Sequence, residues 1–202
     1  MSLNRILSSL IHPILFPLIG SVIYLLVVPK YISYKYQLLI LLVVFIGTYM
    51  LPIMLLFLLK ILKMIHSFQL HTIEERKFPL LLFAFLAILI GKMLFKIELV
   101  NDLAIYFIAG GLALLILYGF LWLKIKVSIH TLGIGGLIGF VINISMIYHQ
   151  NLLVVIAVLF ILFGIIANAR VKLRAHLFSE VIWGIIIGIM TQLLIPMIYQ
   201  NT

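Results

Sequence analysis

Long apolar runs separated by short polar segments dominate this sequence. Seven of them are long enough to cross or nearly cross a lipid bilayer. Each run is continuous rather than alternating, which predicts transmembrane helices and not the strands of a membrane barrel. The runs cover roughly residues 11–29, 37–62, 79–95, 102–123, 130–148, 151–168 and 179–198.

Three of these runs carry features that predict their detailed structure. The third run is short and contains Lys92, which predicts a tilted or partly interfacial segment with the lysine reaching the membrane edge. The fifth and sixth runs are joined by the His149–Asn151 segment, which predicts a tight helical hairpin. Gly135 and Gly139 have the spacing of small residues that lets transmembrane helices pack closely.

The composition agrees with this pattern. Of the 202 residues, 66% are hydrophobic and only 9% are charged, which excludes a soluble domain of this size. We therefore expect an all-α polytopic bundle of about six to seven spanning helices, forming a single integral membrane domain over residues 1–202. The chain has no cysteine, which excludes disulfides and thiolate metal sites.

The basic residues are distributed unevenly between the two ends of the predicted bundle. The formal net charge of +9 fits lipid headgroups, phosphate ligands and topology signals, and we expect no nucleic-acid partner. Because cytoplasmic segments are enriched in Lys and Arg, the richer end is predicted to be cytoplasmic. That end has Arg5, Lys60, Lys63, Arg76, Lys77, Lys124, Lys126, Arg170, Lys172 and Arg174, and the other has Lys30, Lys35, Lys92 and Lys96.

Three polar clusters lie at the richer end, at residues 71–79, 124–130 and 169–180. In the first, Thr72 and Glu75 fit a capping box that begins a short helix, and Pro79 fits the first turn of the next helix. Arg76 and Lys77 are then placed at the membrane edge, where a guanidinium and an ammonium can bind phosphate oxygens. Because helices separated in sequence can bring their ends together, the three clusters are expected to converge.

The other two clusters each contain a histidine. His130 follows Ser128 at the start of a glycine-rich helix, whose first backbone amides can receive an anion. His176 and Glu180 are four residues apart, so they share one face of a helix. A carboxylate that accepts a hydrogen bond from one imidazole nitrogen raises the basicity of the other nitrogen. Two histidines among several cations suit phosphoryl transfer, with no metal or other cofactor required.

These segments resemble the motifs of the type 2 phosphatidic acid phosphatase superfamily, which dephosphorylates membrane lipids, and most closely its compact bacterial branch. The resemblance covers residues 70–190, and its most specific part is an Arg-x5-His-x3-acid segment. It implies that His176 is the nucleophile that becomes phosphorylated, that Glu180 orients it, and that Arg170 binds phosphate. It also implies a bacterial inner membrane as the location and a lipid phosphate or diphosphate as the substrate.

The resemblance assigns roles in the first two clusters as well. His130 is then the general acid, Ser128 binds phosphate, and Arg76, together with Lys77, matches the first motif. The chain departs from the family pattern at several positions. Ile129 stands where the family has Gly, Ala169 where it has Ser, Glu180 where it has Asp, and Gln69 where it has Lys, while Pro79 stands three residues after Arg76 instead of next to it.

Three hypotheses about function follow. The first is a phosphatase that acts on a lipid phosphate or diphosphate through a histidine nucleophile. The second is a non-catalytic relative that binds or transports anionic lipid with the same basic pocket, which the departures at Ile129, Ala169 and Glu180 favour. The third is a structural or transporter subunit whose charged clusters are only topology signals. The third hypothesis expects His130, Arg170 and His176 to lie far apart.

Overall fold

A computed structural model describes residues 12–68, 70 and 72–200 of the chain. Arg5, Gln69 and the first residue of the 71–79 cluster lie outside the described residues. All regular structure in the described part is helical, as the sequence predicts. The helices are α1 (Phe16–Val27), α2 (Tyr34–Phe45), α3 (Leu51–Ile61), α4 (Ile73–Leu94), α5 (Asn101–Trp122), α6 (Ile129–Ile147), α7 (Leu153–Lys172) and α8 (Phe178–Gln200).

The described residues contain six helices that are long and apolar enough to span a membrane, and the chain is an integral membrane protein. One of the six spans is built from α2 and α3, which the π-helical segment Ile46–Met50 joins into a continuous helix over Tyr34–Ile61. A shorter apolar helix precedes these spans at Pro13–Val27. It consists of a 3-10 turn at Pro13–Leu15 followed by α1.

The third apolar run belongs to a helix that is longer than the run itself and is long enough to span a membrane. Helix α4 has 22 residues and begins at Ile73, directly after Thr72, which forms the predicted capping box with Glu75. Pro79 therefore lies in the second turn of this helix and does not begin a new one. A proline near a helix start removes only one backbone hydrogen bond, so the helix continues through it and is long enough to span.

Successive spans run in opposite directions, which places the three polar clusters at one end of the bundle. We call this the site end. It contains residues 12–15, the described part of the α3–α4 connection, the α5–α6 connection and the α7–α8 connection. Contacts between these segments confirm the predicted convergence. The Arg76 side chain donates a hydrogen bond to the Val127 carbonyl, and the Lys126 backbone N–H donates to the Glu180 carboxylate.

Helices α6 and α8 run parallel and pack closely through glycines, as the spacing of Gly135 and Gly139 predicts. A methyl group added at Gly135 would lie 2.7 Å from the Ile185 carbonyl oxygen, and one at Gly139 would lie 2.8 Å from the Ile189 carbonyl oxygen. Such distances are shorter than van der Waals contact, so only glycine lets the two backbones approach this closely. The close packing fixes the start of α6 beside the start of α8.

Candidate functional site

A cavity of about 600 Å³ opens at the site end and extends between the helices. Its volume is within the usual range for ligand pockets, about 300–1,000 Å³. The deep part is mostly apolar and includes Leu86, Phe107 and Leu114. The mouth is polar and cationic. It is lined by His12, Arg76, Lys126, His130, Arg170, Arg174 and His176.

His176 lies in the α7–α8 connection, and only 1% of its side chain is exposed. Its Nδ1 atom is 2.8 Å from the Lys126 carbonyl oxygen and 3.1 Å from Oε2 of Glu180. A carbonyl oxygen can only accept a hydrogen bond, so Nδ1 must carry the proton. The other ring nitrogen, Nε2, therefore holds the lone pair of the neutral imidazole. This tautomer is the one that a nucleophile attacking through Nε2 requires.

Glu180 holds three elements of the site together. Its Oε2 accepts a hydrogen bond from the Leu177 backbone N–H at 3.0 Å, and its Oε1 accepts one from the Lys126 backbone N–H at 3.1 Å. The Glu180 carbonyl accepts from the Ser128 backbone N–H at 3.2 Å. The carboxylate itself does not line the cavity. It acts on the cavity through His176, by fixing the position of the imidazole and its tautomer.

The environment of His176 disfavours the charged imidazolium. Burial lowers its pKa below the usual value of 6.5, and the nearby guanidinium groups of Arg76 and Arg170 lower it further. The hydrogen bonds to the Lys126 carbonyl and Glu180 oppose these effects without reversing them. His176 is therefore a neutral base at neutral pH, with its lone pair available.

Arg76 and Arg170 come from different helices and line the same cavity. The buried Arg76 donates from Nε to the Leu70 carbonyl at 2.8 Å and from Nη1 to the Val127 carbonyl at 3.4 Å. A guanidinium has five N–H groups, so this anchoring leaves others for a ligand. Arg170 lies in the last turn of α7.

Burial, Arg76 and Arg170 also lower the pKa of Lys126, while Glu180 opposes this shift.

His130 is the second residue of α6 and lines the cavity mouth. Its ring centroid lies 5.7 Å from that of His12, and the two ring planes meet at 73°. His130, Arg170 and His176 thus surround one cavity, which is the opposite of what the topology-signal hypothesis expects.

Two of the predicted phosphate-binding residues lie away from the cavity. Ser128 is fully buried, and its hydroxyl oxygen accepts a hydrogen bond from the Thr131 backbone N–H at 3.5 Å, which caps α6. Lys77 pairs with Glu74 at 2.8 Å, and its Nζ lies 5.1 Å from the centroid of the Trp122 ring. The cavity lining includes neither Ser128 nor Lys77.

Sequence reasoning missed three residues at the mouth. In the sequence, no motif assigns a role to His12, and Lys126 and Arg174 count only as basic residues that determine orientation. All three line the cavity. The sequence does hold a signal for them, because the alternating direction of the spans places these residues at the same end as both predicted catalytic histidines. Among the described residues, no three His, Asp or Glu side chains form a group that could hold a metal ion.

The chain was compared with protein-family models, curated proteins and solved structures, and it matches none of them.

Proposed function

We propose that the chain is a phosphatase of lipid phosphates or lipid diphosphates that acts through a phosphohistidine intermediate at His176. The observation that carries this proposal is the pair of acceptors at Nδ1 of His176, which leaves the Nε2 lone pair on a neutral imidazole that lines a cationic cavity. The resemblance to the lipid-phosphate phosphatases supports the same assignment. On this basis we further propose a bacterial inner membrane as its location.

The reaction has two steps. In the first, Nε2 of His176 attacks phosphorus and forms an N–P bond, while the bond from phosphorus to the lipid oxygen breaks. His130 gives a proton to the leaving oxygen, and the Glu180 carboxylate stabilises the positive charge on the phosphorylated ring. In the second step water attacks the phosphohistidine, His130 takes a proton from that water, and inorganic phosphate leaves.

The other mouth residues bind the phosphate group. Arg76, Lys126 and Arg170 supply positive charge for the non-bridging oxygens, whose negative charge is stabilised in a partly buried site. The apolar part of the cavity is the place for a hydrocarbon chain. A ligand with a charged head and an apolar tail matches both parts of the cavity, which is why we propose a lipid substrate and not a soluble phosphate ester.

The test is phosphate release from a lipid phosphate by the purified protein in detergent. His176→Asn should lower the rate at least about 1,000-fold, because no other group supplies the nucleophile. His149→Asn is the matched control, since His149 lies in the α6–α7 connection at the opposite end and should keep the normal rate. Acid-labile phosphate bound to His176 should be trapped after rapid quenching. A fully active His176→Asn protein would show that the proposed mechanism is wrong.

A specific observation favours the second hypothesis, a non-catalytic protein that binds anionic lipid. The Ser128 hydroxyl caps α6 and so does not reach the cavity, and Ile129 stands where the resembling family has Gly. This function predicts saturable binding of a lipid phosphate with no turnover, and a loss of that binding in Arg170→Ala. Trapping of a phosphohistidine would exclude it.

A further inference from the structure

We propose that His12 is an additional phosphate-binding residue, which donates a hydrogen bond from its Nε2–H to a phosphate oxygen of the ligand held beside His130. The inference rests on the proposed function, because it requires a phosphate group at the mouth of the cavity. None of the three polar clusters contains His12, so the sequence motifs give it no role.

Packing of the first helix places His12 beside His130. Phe16, four residues after His12, lies against Gly133, three residues after His130. A methyl group added at Gly133 would lie 2.5 Å from Cδ2 of Phe16, so the ring occupies the space that the glycine leaves. The Tyr106 hydroxyl donates to the Phe16 carbonyl at 3.1 Å. These contacts fix the start of this helix against α6, and His12 lines the cavity as a result.

A hydrogen bond at Nδ1 determines which nitrogen of His12 can donate. The Ile14 backbone N–H donates to Nδ1 of His12 at 3.4 Å, so Nδ1 holds the lone pair. The neutral ring then carries its only proton on Nε2. His12 is exposed at the mouth, but partial desolvation by the surrounding protein and the nearby Arg170 lower its pKa, which favours the neutral ring.

The two histidines therefore have opposite tautomers. In His176 the proton is on Nδ1 and Nε2 can attack, whereas in His12 the proton is on Nε2 and is available to a ligand. A neutral N–H donor next to a phosphate oxygen adds a directed hydrogen bond to the charge that the arginines supply. His12 thus suits binding of the phosphate group and not attack on it.

A matched pair of variants tests this role. Asn and Asp both cap helices well and have nearly the same size, so His12→Asn and His12→Asp should both keep the bond from the Ile14 N–H. Only Asn also has an N–H group to donate. We expect inorganic phosphate to bind His12→Asp about 10- to 100-fold more weakly than His12→Asn, because Asp removes the donor and adds a like charge. Calorimetric titration of both proteins in detergent gives the two dissociation constants.

The outcomes separate this inference from the proposed function. The unmodified protein should bind inorganic phosphate and release phosphate from lipid. If it does so and the two variants have equal dissociation constants, the role of His12 alone is overturned. A protein that neither binds inorganic phosphate nor turns over lipid phosphate would overturn both proposals.

A second readout uses the unmodified protein and does not depend on the folding of a variant. In histidine ¹⁵N NMR spectra, addition of inorganic phosphate should shift the Nε2–H resonance of His12. A resonance that stays in place while phosphate saturates the cavity would contradict the proposal.

Discussion

The Nδ1 proton of His176 has two acceptors, and they differ in what they contribute. The Lys126 carbonyl, at 2.8 Å, is sufficient to fix the tautomer. The Glu180 carboxylate, at 3.1 Å, adds negative charge and connects the imidazole to the Leu177 and Lys126 backbone N–H groups. Loss of the carboxylate charge should therefore slow catalysis without changing the tautomer of His176.

This division predicts the behaviour of Glu180→Gln. We expect a decrease in kcat of about 10- to 100-fold, since the imidazolium formed on phosphorylation loses its counter-charge while the Lys126 carbonyl still holds the proton. The carboxylate raises the pKa of His176, so its removal should lower that pKa further. The acid limb of the pH–rate profile, which reports protonation of His176, should then move to lower pH.

Glu74→Gln is the matched control for this variant. Glu74 lies in the first turn of α4, and 77% of its side chain is exposed while it pairs with Lys77. Its removal should leave both kcat and the acid limb unchanged. An acid limb that moved to higher pH in Glu180→Gln would show that the carboxylate does not act on His176 as described.

At the scale of single residues, the sequence predicts which side chains belong to the site better than it predicts the groups that they bind. The four-residue spacing of His176 and Glu180 predicts that their side chains meet, and they do, although His176 lies in the connection before α8 and not on the helix itself. The Lys126 carbonyl is not predictable in this way, because every residue has a carbonyl and only the fold selects one. The same holds for His12, whose position depends on how Phe16 packs against Gly133.

At the scale of the helices, the close contact between α6 and α8 positions the catalytic groups, because His130 is in the first turn of α6 and Glu180 is in the first turn of α8. The closest approach to backbone atoms of α6 is at Gly188. A methyl group there would lie 2.4 Å from the Leu132 carbonyl oxygen and 2.6 Å from the Gly136 backbone nitrogen. Backbone atoms cannot move aside as a flexible side chain can.

We therefore predict that Gly188→Ala separates the two helices. The substitution should lower the free energy of unfolding by about 1–3 kcal/mol, the usual cost of overpacking, and it should reduce turnover as well. Thermal unfolding in detergent measures the first effect. Gly164→Ala in α7 is the control, since an added methyl group there has no atom within 4 Å and alanine favours a helix. Similar melting temperatures for the two variants would contradict the prediction.

The helices themselves follow closely from the apolar pattern. The run at 130–148 corresponds to Ile129–Ile147, and the run at 151–168 to Leu153–Lys172. The third apolar run is shorter than its helix because the polar residues before Pro79 belong to the same helix. The start of that helix is set by the Thr72 cap. Apolar content marks the part of a helix that faces lipid or core, but it does not mark the polar turns at its ends.

For the whole molecule, the distribution of Lys and Arg gives a testable orientation. Among the described residues, the site end has nine basic residues against four at the other end, so we predict that it faces the cytoplasm. The chain has no cysteine, which makes single introduced cysteines specific labels. In intact cells a membrane-impermeant maleimide should react with Gln150→Cys at the opposite end and not with Lys172→Cys at the site end.

Permeabilised cells provide the control, because both cysteines should then react. Labelling of Lys172→Cys alone in intact cells would reverse the orientation and place phosphate release on the outer side of the membrane. The sequence alone predicts that three clusters share one end, since this follows from counting spans. It does not predict the cavity, because the space between helices depends on how all of them pack.

The backbone origin of one His176 contact has a consequence for variation in this protein. A substitution at position 126 changes the ammonium group at the cavity mouth but leaves the carbonyl, so every variant of that residue retains the acceptor at Nδ1. A systematic substitution of side chains will therefore identify Glu180 as an acceptor for His176, but it will not detect the Lys126 carbonyl. An insertion or deletion in the 123–128 connection would instead displace that carbonyl. We therefore expect natural sequence variation to change the residue types of this loop far more often than its length.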